Sequence, residues 1–172
     1  MVMRVLVISS IRCGGFYLVK QLSERYDLKL YHEPTYIEGI DFTKDIIVKL
    51  LTYTPYGYDV DKIINYSKNY DTIILLNRRD KQDHLISVWE LYHNKRDMRE
   101  QYTHGNGMME NKEYYSNWID KQTICINEIS KVLSIPITYY EDLYYGDVDL
   151  NGLQFTPDTS QRLRIDRPRT II

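Results

Sequence analysis

An arginine and two glycines follow the first apolar run of the chain, in the stretch Arg12–Gly15 (RCGG). The run before them, Arg4–Ser9 (RVLVIS), has the β-branched pattern of a strand covered on both faces, and Phe16–Tyr26 has apolar residues at helical spacing. A turn between a strand and a helix aims backbone N–H groups and the positive end of the helix dipole at one point, which favours an anion. Glycines let the backbone approach such a ligand closely. The turn therefore predicts a phosphate or sulfate site; a tight turn without a ligand is the alternative.

The turn differs from a Walker A motif, because the Gly-Lys-Ser/Thr that this motif requires is missing. No hydroxyl follows the glycines to hold Mg²⁺, since the next residues are Phe16 and Tyr17. Ordinary ATP or GTP hydrolysis is therefore disfavoured.

A second candidate site follows the apolar run Asp71–Asn77 (DTIILLN), which predicts a central strand. Two arginines come directly after it, and Ser87 follows the second of them, Arg79, by eight residues. From a strand end and the second turn of a helix, these two side chains can converge on one phosphate, with a forked guanidinium contact and a hydroxyl donor. The alternative is a solvated charge run in which Asp80 caps the helix. The two stretches together predict one ligand with two separate anionic groups.

Strands and helices alternate along the chain. Strands are predicted over Arg4–Ser9, Leu28–Tyr31, Asp71–Asn77 and Ile135–Tyr140. Helices are predicted over Phe16–Tyr26, Asp41–Leu51, Asp61–Asn69, Asp80–Asn94 and Lys112–Leu133. This alternation predicts an α/β three-layer sandwich, with a central parallel sheet and helices on both faces. The last thirty residues, 143–172, are predicted to be irregular and end in a basic tail over 155–172.

Ligands of such sheets bind beyond the carboxyl ends of the strands. The residues that follow the predicted strands are therefore where the chemistry is expected: Arg12–Gly15, His32–Glu33, Arg78–Asp80 and Glu141–Asp142.

Composition restricts the class of protein. The 172 residues are 43% hydrophobic and 27% charged, which is typical of one globular domain over residues 1–172. The net charge of −2 argues against a broad nucleic-acid-binding face. Two cysteines make no disulfide framework, so a reducing, cytoplasmic location is expected. No apolar run reaches the roughly 20 residues of a membrane span.

The first turn resembles the 5′-phosphosulfate loop of sulfotransferases that use 3′-phosphoadenosine 5′-phosphosulfate (PAPS). That loop commonly reads Arg/Lys-Ser-Gly-Ser/Thr-Thr before a helix. Arg12 and Gly14 match it, whereas Cys13, Gly15 and Phe16 stand where the family has hydroxyl residues. The resemblance implies that backbone N–H groups of this stretch hold the 5′-phosphate without those side-chain donors.

The second stretch resembles the 3′-phosphate motif of the same family, which often reads Arg-Asp-Pro-Arg-Asp-x-x-x-Ser. The matching positions are Arg79, Asp80, Asp83 and Ser87. Tyr140–Leu143 (YEDL) is also similar to a sequence that recurs in the family after the next strand. The similarity runs in the family's order over residues 4–145.

The resemblance implies a P-loop-type nucleotide-binding fold and sulfuryl transfer from PAPS to a hydroxyl acceptor such as a carbohydrate, with no metal required. Arg12 would stabilise charge on the bridging oxygen as the nucleotide leaves, and Arg79 with Ser87 would hold the 3′-phosphate. Glu33 would be the base that takes the acceptor's proton, with His32 as its alternative. For these last two residues, a polar turn closed by the following proline is the structural alternative.

In the tail, Arg167 and Arg169 would add a second contact to the 3′-phosphate, with a solvated tail as the alternative. Two other functions stay open at this point. One is a nucleotide-binding module without catalysis, which the altered first turn favours. The other is a P-loop nucleotide or nucleoside kinase, against which the missing Lys-Ser/Thr argues.

Overall fold

The computed structural model describes residues 2–34, 39–93, 112–144 and 147–157. Its strands are β1 (Arg4–Ser9), β2 (Lys29–His32), β3 (Ile46–Leu51), β4 (Thr72–Asn77), β5 (Ile137–Tyr139), β6 (Val148–Leu150) and β7 (Leu153–Phe155). Its helices are α1 (Gly15–Tyr26), α2 (Val60–Ser67), α3 (Lys81–His93) and α4 (Lys112–Leu133), with one 3₁₀ turn at Asp142–Tyr144.

The first five strands form one sheet in the order β2-β3-β1-β4-β5, and every neighbouring pair is parallel. Helices pack on both faces. The α1 face is closed by Leu18, Val19 and Leu22, and the opposite face by residues of α2 and α4 such as Ile63 and Ile126. The predicted α/β fold with a central parallel sheet is therefore confirmed.

The helix predicted over Asp41–Leu51 is wrong, because its second half is strand β3. All six residues of this strand are buried, since it lies between β2 and β1 with helices on both faces. A strand buried on both faces is apolar throughout, so its pattern cannot be told from that of a buried helix segment by periodicity alone. Lys49 is the one charged residue in this run, and it is 4% exposed.

The irregular structure predicted for residues 143–172 is also wrong in part. Strands β6 and β7 form an antiparallel hairpin, and Leu150, Leu153 and Phe155 pack into the core on the α1 face. Three-residue strands with one or two inward positions carry too short a pattern for the sequence to reveal. Residues 158–172 lie outside the described residues, and with them the predicted role of Arg167 and Arg169.

Candidate functional site

The strand order places a crevice between the carboxyl ends of β1 and β4. From β1 the chain passes β3 to reach β2, whereas from β4 it moves in the opposite direction to β5. Ligands of open parallel sheets bind where the connections of two neighbouring strands diverge in this way. Both sequence stretches that predict anion binding, the β1–α1 turn and the β4–α3 turn, lie at this crevice.

The β1–α1 turn leaves the N-terminus of α1 open. Gly14 is the N-cap residue, with a φ of 73° that suits glycine, and no side chain of the described residues caps the helix there. The first intrahelical bond runs from the N–H of Leu18 to the carbonyl of Gly14, at 3.2 Å. The N–H groups of Gly15, Phe16 and Tyr17 precede it and have no acceptor within the helix. They are available to an anion.

Glycine is needed at position 15 for a different structural reason than at position 14. A Cβ on Gly15 would lie 2.6 Å from Cε of Lys49 and 3.1 Å from Oγ of Ser9. The glycine therefore lets the Lys49 side chain lie directly against the turn. The Ser9 hydroxyl is fully buried and has no hydrogen-bond partner within the described part of the chain. Burying such a hydroxyl costs free energy unless a partner is supplied, so this group beside the open amides suits a ligand.

Arg12 joins the turn to α3. Its φ of 59° is in the left-handed region, and its Nε–H donates to Oγ of Ser87 at 3.1 Å. Its backbone carbonyl accepts a hydrogen bond from Nη1 of Arg78 at 3.4 Å. The side chain is exposed and forms no ion pair with a carboxylate of the described residues. Arg12 is thus a cation beside a hydroxyl at the crevice, free for an anion.

The structure brings Ser87 to Arg12 and not to Arg79. The Arg79 guanidinium donates two hydrogen bonds to the Asp142 carboxylate, at 3.0 and 2.8 Å, and lies 4.5 Å from the ring centroid of Tyr139. The carboxylate of Glu141 accepts hydrogen bonds from the N–H of Arg79 at 3.0 Å. The YEDL stretch therefore binds the β4–α3 turn, which its sequence position alone did not indicate.

Arg78 is a structural residue of this end of the sheet. Its guanidinium pairs with the Asp83 carboxylate and lies 4.6 Å from the ring centroid of Tyr140. The side chain is 4% exposed, so an uncompensated charge here would be costly. Arg78 therefore holds the backbone of Arg12 in place.

The two candidate bases come together at the end of β2. Glu33 has a φ of 48°, and one oxygen of its carboxylate, Oε1, is bound by Nζ of Lys49 and lies 3.5 Å from Nε2 of His32. Burial lowers the pKa of Lys49, and burial together with the Lys49 charge lowers the pKa of His32. The exposed Phe16 ring meets His32 edge to face, with centroids 5.0 Å apart.

Lys49 is the residue of this candidate site that the sequence analysis did not identify. The signal was present as a lone charge in the apolar run IIVKLL, but the helix prediction hid it. In a strand buried on both faces, such a lysine needs a partner or a ligand.

Cys13 faces the interior below the turn. Its Sγ lies 2.6 Å from Oγ of Ser10, which also donates to Oδ1 of Asn77 at 2.8 Å. Burial raises the pKa of the Cys13 thiol to about 12, so the thiol stays protonated and is not a nucleophile. Only the backbone of Cys13 can contribute to a ligand site, in line with what the resemblance implies.

His84 ties α3 to the same turn. Its Nε2–H donates to the carbonyl of Ile11 at 2.6 Å, and burial lowers the pKa of the imidazole to about 4. The N–H of Ile11 donates to Oε1 of Gln122 at 2.7 Å, which adds a link to α4. The turn is therefore held from both helices, so its open amides keep their direction.

The neutral imidazole of His84 predicts a loss of stability in acid. The pKa of His84 is 6.5 in the unfolded chain and about 4 in the folded chain, so between these pH values only the unfolded chain binds the proton. The stability that His84 contributes is therefore complete above pH 6.5 and is lost as the pH falls towards 4. The loss from this group is on the order of 3 kcal/mol. His84→Gln, which keeps a donor but does not titrate, is expected to flatten the pH dependence of the unfolding free energy. Urea denaturation across this window checks it. His32→Gln serves as the control: because His32 is partly exposed, this change should reduce the pH dependence of the unfolding free energy by less.

No described helix is both long enough and apolar enough to cross a bilayer. No three His, Cys, Asp or Glu side chains of the described residues are grouped as a metal site.

No family model matches the chain, and comparisons with curated proteins and with solved structures find no match either.

Proposed function

We propose that the chain is a sulfotransferase that moves a sulfuryl group from PAPS to a hydroxyl acceptor. The observation that carries the proposal is the contact between Arg12 and Ser87 beside the open N-terminus of α1, at the crevice between β1 and β4. The open amides and the orphaned Ser9 hydroxyl suit the 5′-phosphosulfate, and Ser87 suits the 3′-phosphate. Two anionic groups of one nucleotide would then lie on either side of Arg12.

The finer fold class belongs to the same proposal. In a P-loop-type nucleotide-binding fold the phosphate-binding turn follows the first strand. Here that strand is central, flanked by β3 and β4, and the turn after it leads into α1. This arrangement supports a P-loop-like assignment.

Arg79 can still reach a nucleotide at low cost. Its ion pair with Asp142 is exposed on both sides, with 58% and 51% of the two side chains accessible. Exposed ion pairs contribute little to stability. Exchanging Asp142 for a phosphate is therefore a small energetic step, and Arg79 is retained as a proposed ligand of the 3′-phosphate.

The transfer needs positioning and charge stabilisation. The acceptor oxygen forms a bond to sulfur while the bond from sulfur to the phosphate oxygen breaks. The electron pair of that bond stays on the phosphate oxygen, where Arg12 stabilises the charge, and the hydroxyl proton passes to Glu33. A sulfuryl group carries less charge than a phosphoryl group, so this chemistry does not require a metal.

The acceptor would lie on the opposite side of the turn from Ser87. There the Phe16 ring is 47% exposed and stands against His32, which adjoins Glu33. An exposed aromatic face next to a carboxylate suits a hydroxyl carried on a ring, as in a carbohydrate.

The proposal is tested by titrating the protein with ligands and measuring the midpoint temperature of unfolding. Adenosine 3′,5′-bisphosphate is expected to raise the midpoint of unfolding without Mg²⁺, and radiolabelled PAPS is expected to label an acceptor from a panel of saccharides and phenols. Stabilisation by Mg·ATP alone would contradict the proposal and favour a nucleotide kinase. Wild-type protein that binds no adenosine bisphosphate at all would also contradict it.

A nucleotide-binding module without catalysis is the second candidate. The observation that favours it is the ion pair between Lys49 and Glu33, which occupies one oxygen of the proposed base. Binding of the bisphosphate with no sulfate transfer to any acceptor of the panel would favour this candidate over the enzyme.

A further inference from the structure

Lys49 lies between the Glu33 carboxylate, which attracts its charge, and the N-terminus of α1, which attracts anions. Its ammonium is bound to Oε1 of Glu33, and its Cε would lie 2.6 Å from a Cβ on Gly15, the first residue of α1. The positive end of α1 and its open amides attract an anion to the same place. Lys49 is therefore within reach both of Glu33 and of any anion bound at the turn.

Among the described residues, one negative group faces Lys49. Its side chain is 5% exposed, and the titratable groups that face it are Glu33 and His32 from the end of β2 and Cys13 from the β1–α1 turn. His32 and Cys13 are neutral near pH 7, since their pKa values are lowered and raised respectively. Without a ligand, Glu33 alone compensates the ammonium among these groups.

The buried Ser9 hydroxyl is a second observation that favours a ligand at this position. It has no partner among the described residues, is fully buried, and lies 3.1 Å from the position of a Cβ on Gly15. An anion that accepts from this hydroxyl and from the amides of α1 lies directly beside the Lys49 stem.

We propose that Lys49 exchanges Glu33 for the anionic group of the donor nucleotide. In the free protein the ammonium neutralises Glu33, and in the loaded protein it binds the 5′-phosphate and releases the Glu33 carboxylate. The base becomes available only after the donor has bound. This inference rests on the proposed function and adds a positioning residue and an order of events to it.

The exchange makes an unusual prediction for binding. Glu33→Gln removes the internal competitor for Lys49, so the affinity for adenosine 3′,5′-bisphosphate is expected to rise about tenfold. Lys49→Met fits an apolar buried strand and is expected to weaken binding about tenfold. A permanent structural ion pair predicts instead that neither change tightens binding.

A double-mutant cycle separates the exchange from simple electrostatics. Removing the charge of Glu33 favours any nearby anion, so the tightening must be shown to need Lys49. In the Lys49→Met background, Glu33→Gln is expected to leave the affinity unchanged. Tightening of the same size in both backgrounds would overturn the exchange. Lys49→Gln replaces Lys49→Met in the cycle if the methionine variant does not fold by circular dichroism.

Two controls locate the effect, measured by isothermal titration calorimetry on the full chain. Asp71→Asn breaks the ion pair with Arg4 at the opposite end of the sheet and should leave affinity unchanged. Adenosine 3′-monophosphate lacks the 5′-phosphate, so Glu33→Gln should not tighten its binding. Wild-type binding without tightening in Glu33→Gln overturns the exchange and leaves the proposed function standing. Failure of wild-type binding overturns both.

Discussion

Replacing Arg12 with alanine is expected to lower the rate of sulfuryl transfer by about 10²–10³-fold, the usual effect of removing one group that stabilises charge in the transition state. Arg12 forms no ion pair with a carboxylate of the described residues, and its only side-chain hydrogen bond there is to Ser87. Its full charge is therefore available to the leaving phosphate oxygen. The measurement is the steady-state rate with radiolabelled PAPS.

Three variants show what the Arg12 result means. Arg12→Lys keeps the positive charge but loses the forked donor geometry of the guanidinium, so its rate should lie between those of Arg12→Ala and the wild type. Arg25→Ala removes an exposed arginine from the far end of α1 and should leave the rate unchanged. Ser87→Ala frees the Arg12 side chain and should weaken nucleotide binding. An Arg12→Ala protein with an unchanged rate contradicts the role proposed for this residue.

The position of the crevice that forms the candidate site could be predicted from the sequence, because the rule for parallel sheets needs only the order of strands and helices. Strands β1 and β4 are marked by continuous apolar runs; Arg12 follows β1 by three residues, and Arg78 follows β4 directly. Both strands are central in the sheet, and both turns lie at its carboxyl end. Local patterns were sufficient for this part of the prediction.

The pairing of side chains within the site could not be predicted in the same way. Spacing allowed Ser87 to converge with Arg79, whereas the structure pairs Ser87 with Arg12. The difference comes from Asp142, which lies 63 residues after Arg79 and is brought to it by the parallel pairing of β4 and β5. A distant carboxylate that engages one of several arginines leaves no mark in the local sequence.

Lys49 illustrates the other limit of sequence reasoning. The sequence predicts its strand as part of a helix, and in that prediction Lys49 has no assigned role. Once the run is a strand between β2 and β1, the lysine must be buried at the carboxyl end of the sheet, next to Glu33. The error in one element therefore removed a charged residue from the predicted site.

Glu33→Gln is expected to lower sulfuryl transfer by about 10²–10⁴-fold, the usual contribution of a general base. The amide cannot take the proton from the acceptor hydroxyl, although it fills the same space beside Lys49. Because the same change is expected to tighten nucleotide binding, the loss should appear in kcat and not in the affinity for the donor. The expected loss in kcat is checked by the rate of a single turnover measured at saturating PAPS.

Asp71→Asn, a matched acid-to-amide change away from the site, should leave the transfer rate unchanged. A Glu33→Gln protein that keeps its rate would exclude Glu33 as the base and point to His32, whose ring lies 3.5 Å from the same carboxylate oxygen. The pH profile then distinguishes the two residues. Burial and the Lys49 charge lower the pKa of His32 from 6.5. A rate that depends on neutral His32 would therefore hold as the pH falls to 6.5 and decrease only at lower pH. His32→Gln would lower the rate at every pH if His32 is the base, whereas an imidazole that only packs against Phe16 takes no proton from the acceptor, so its loss would leave most of the rate.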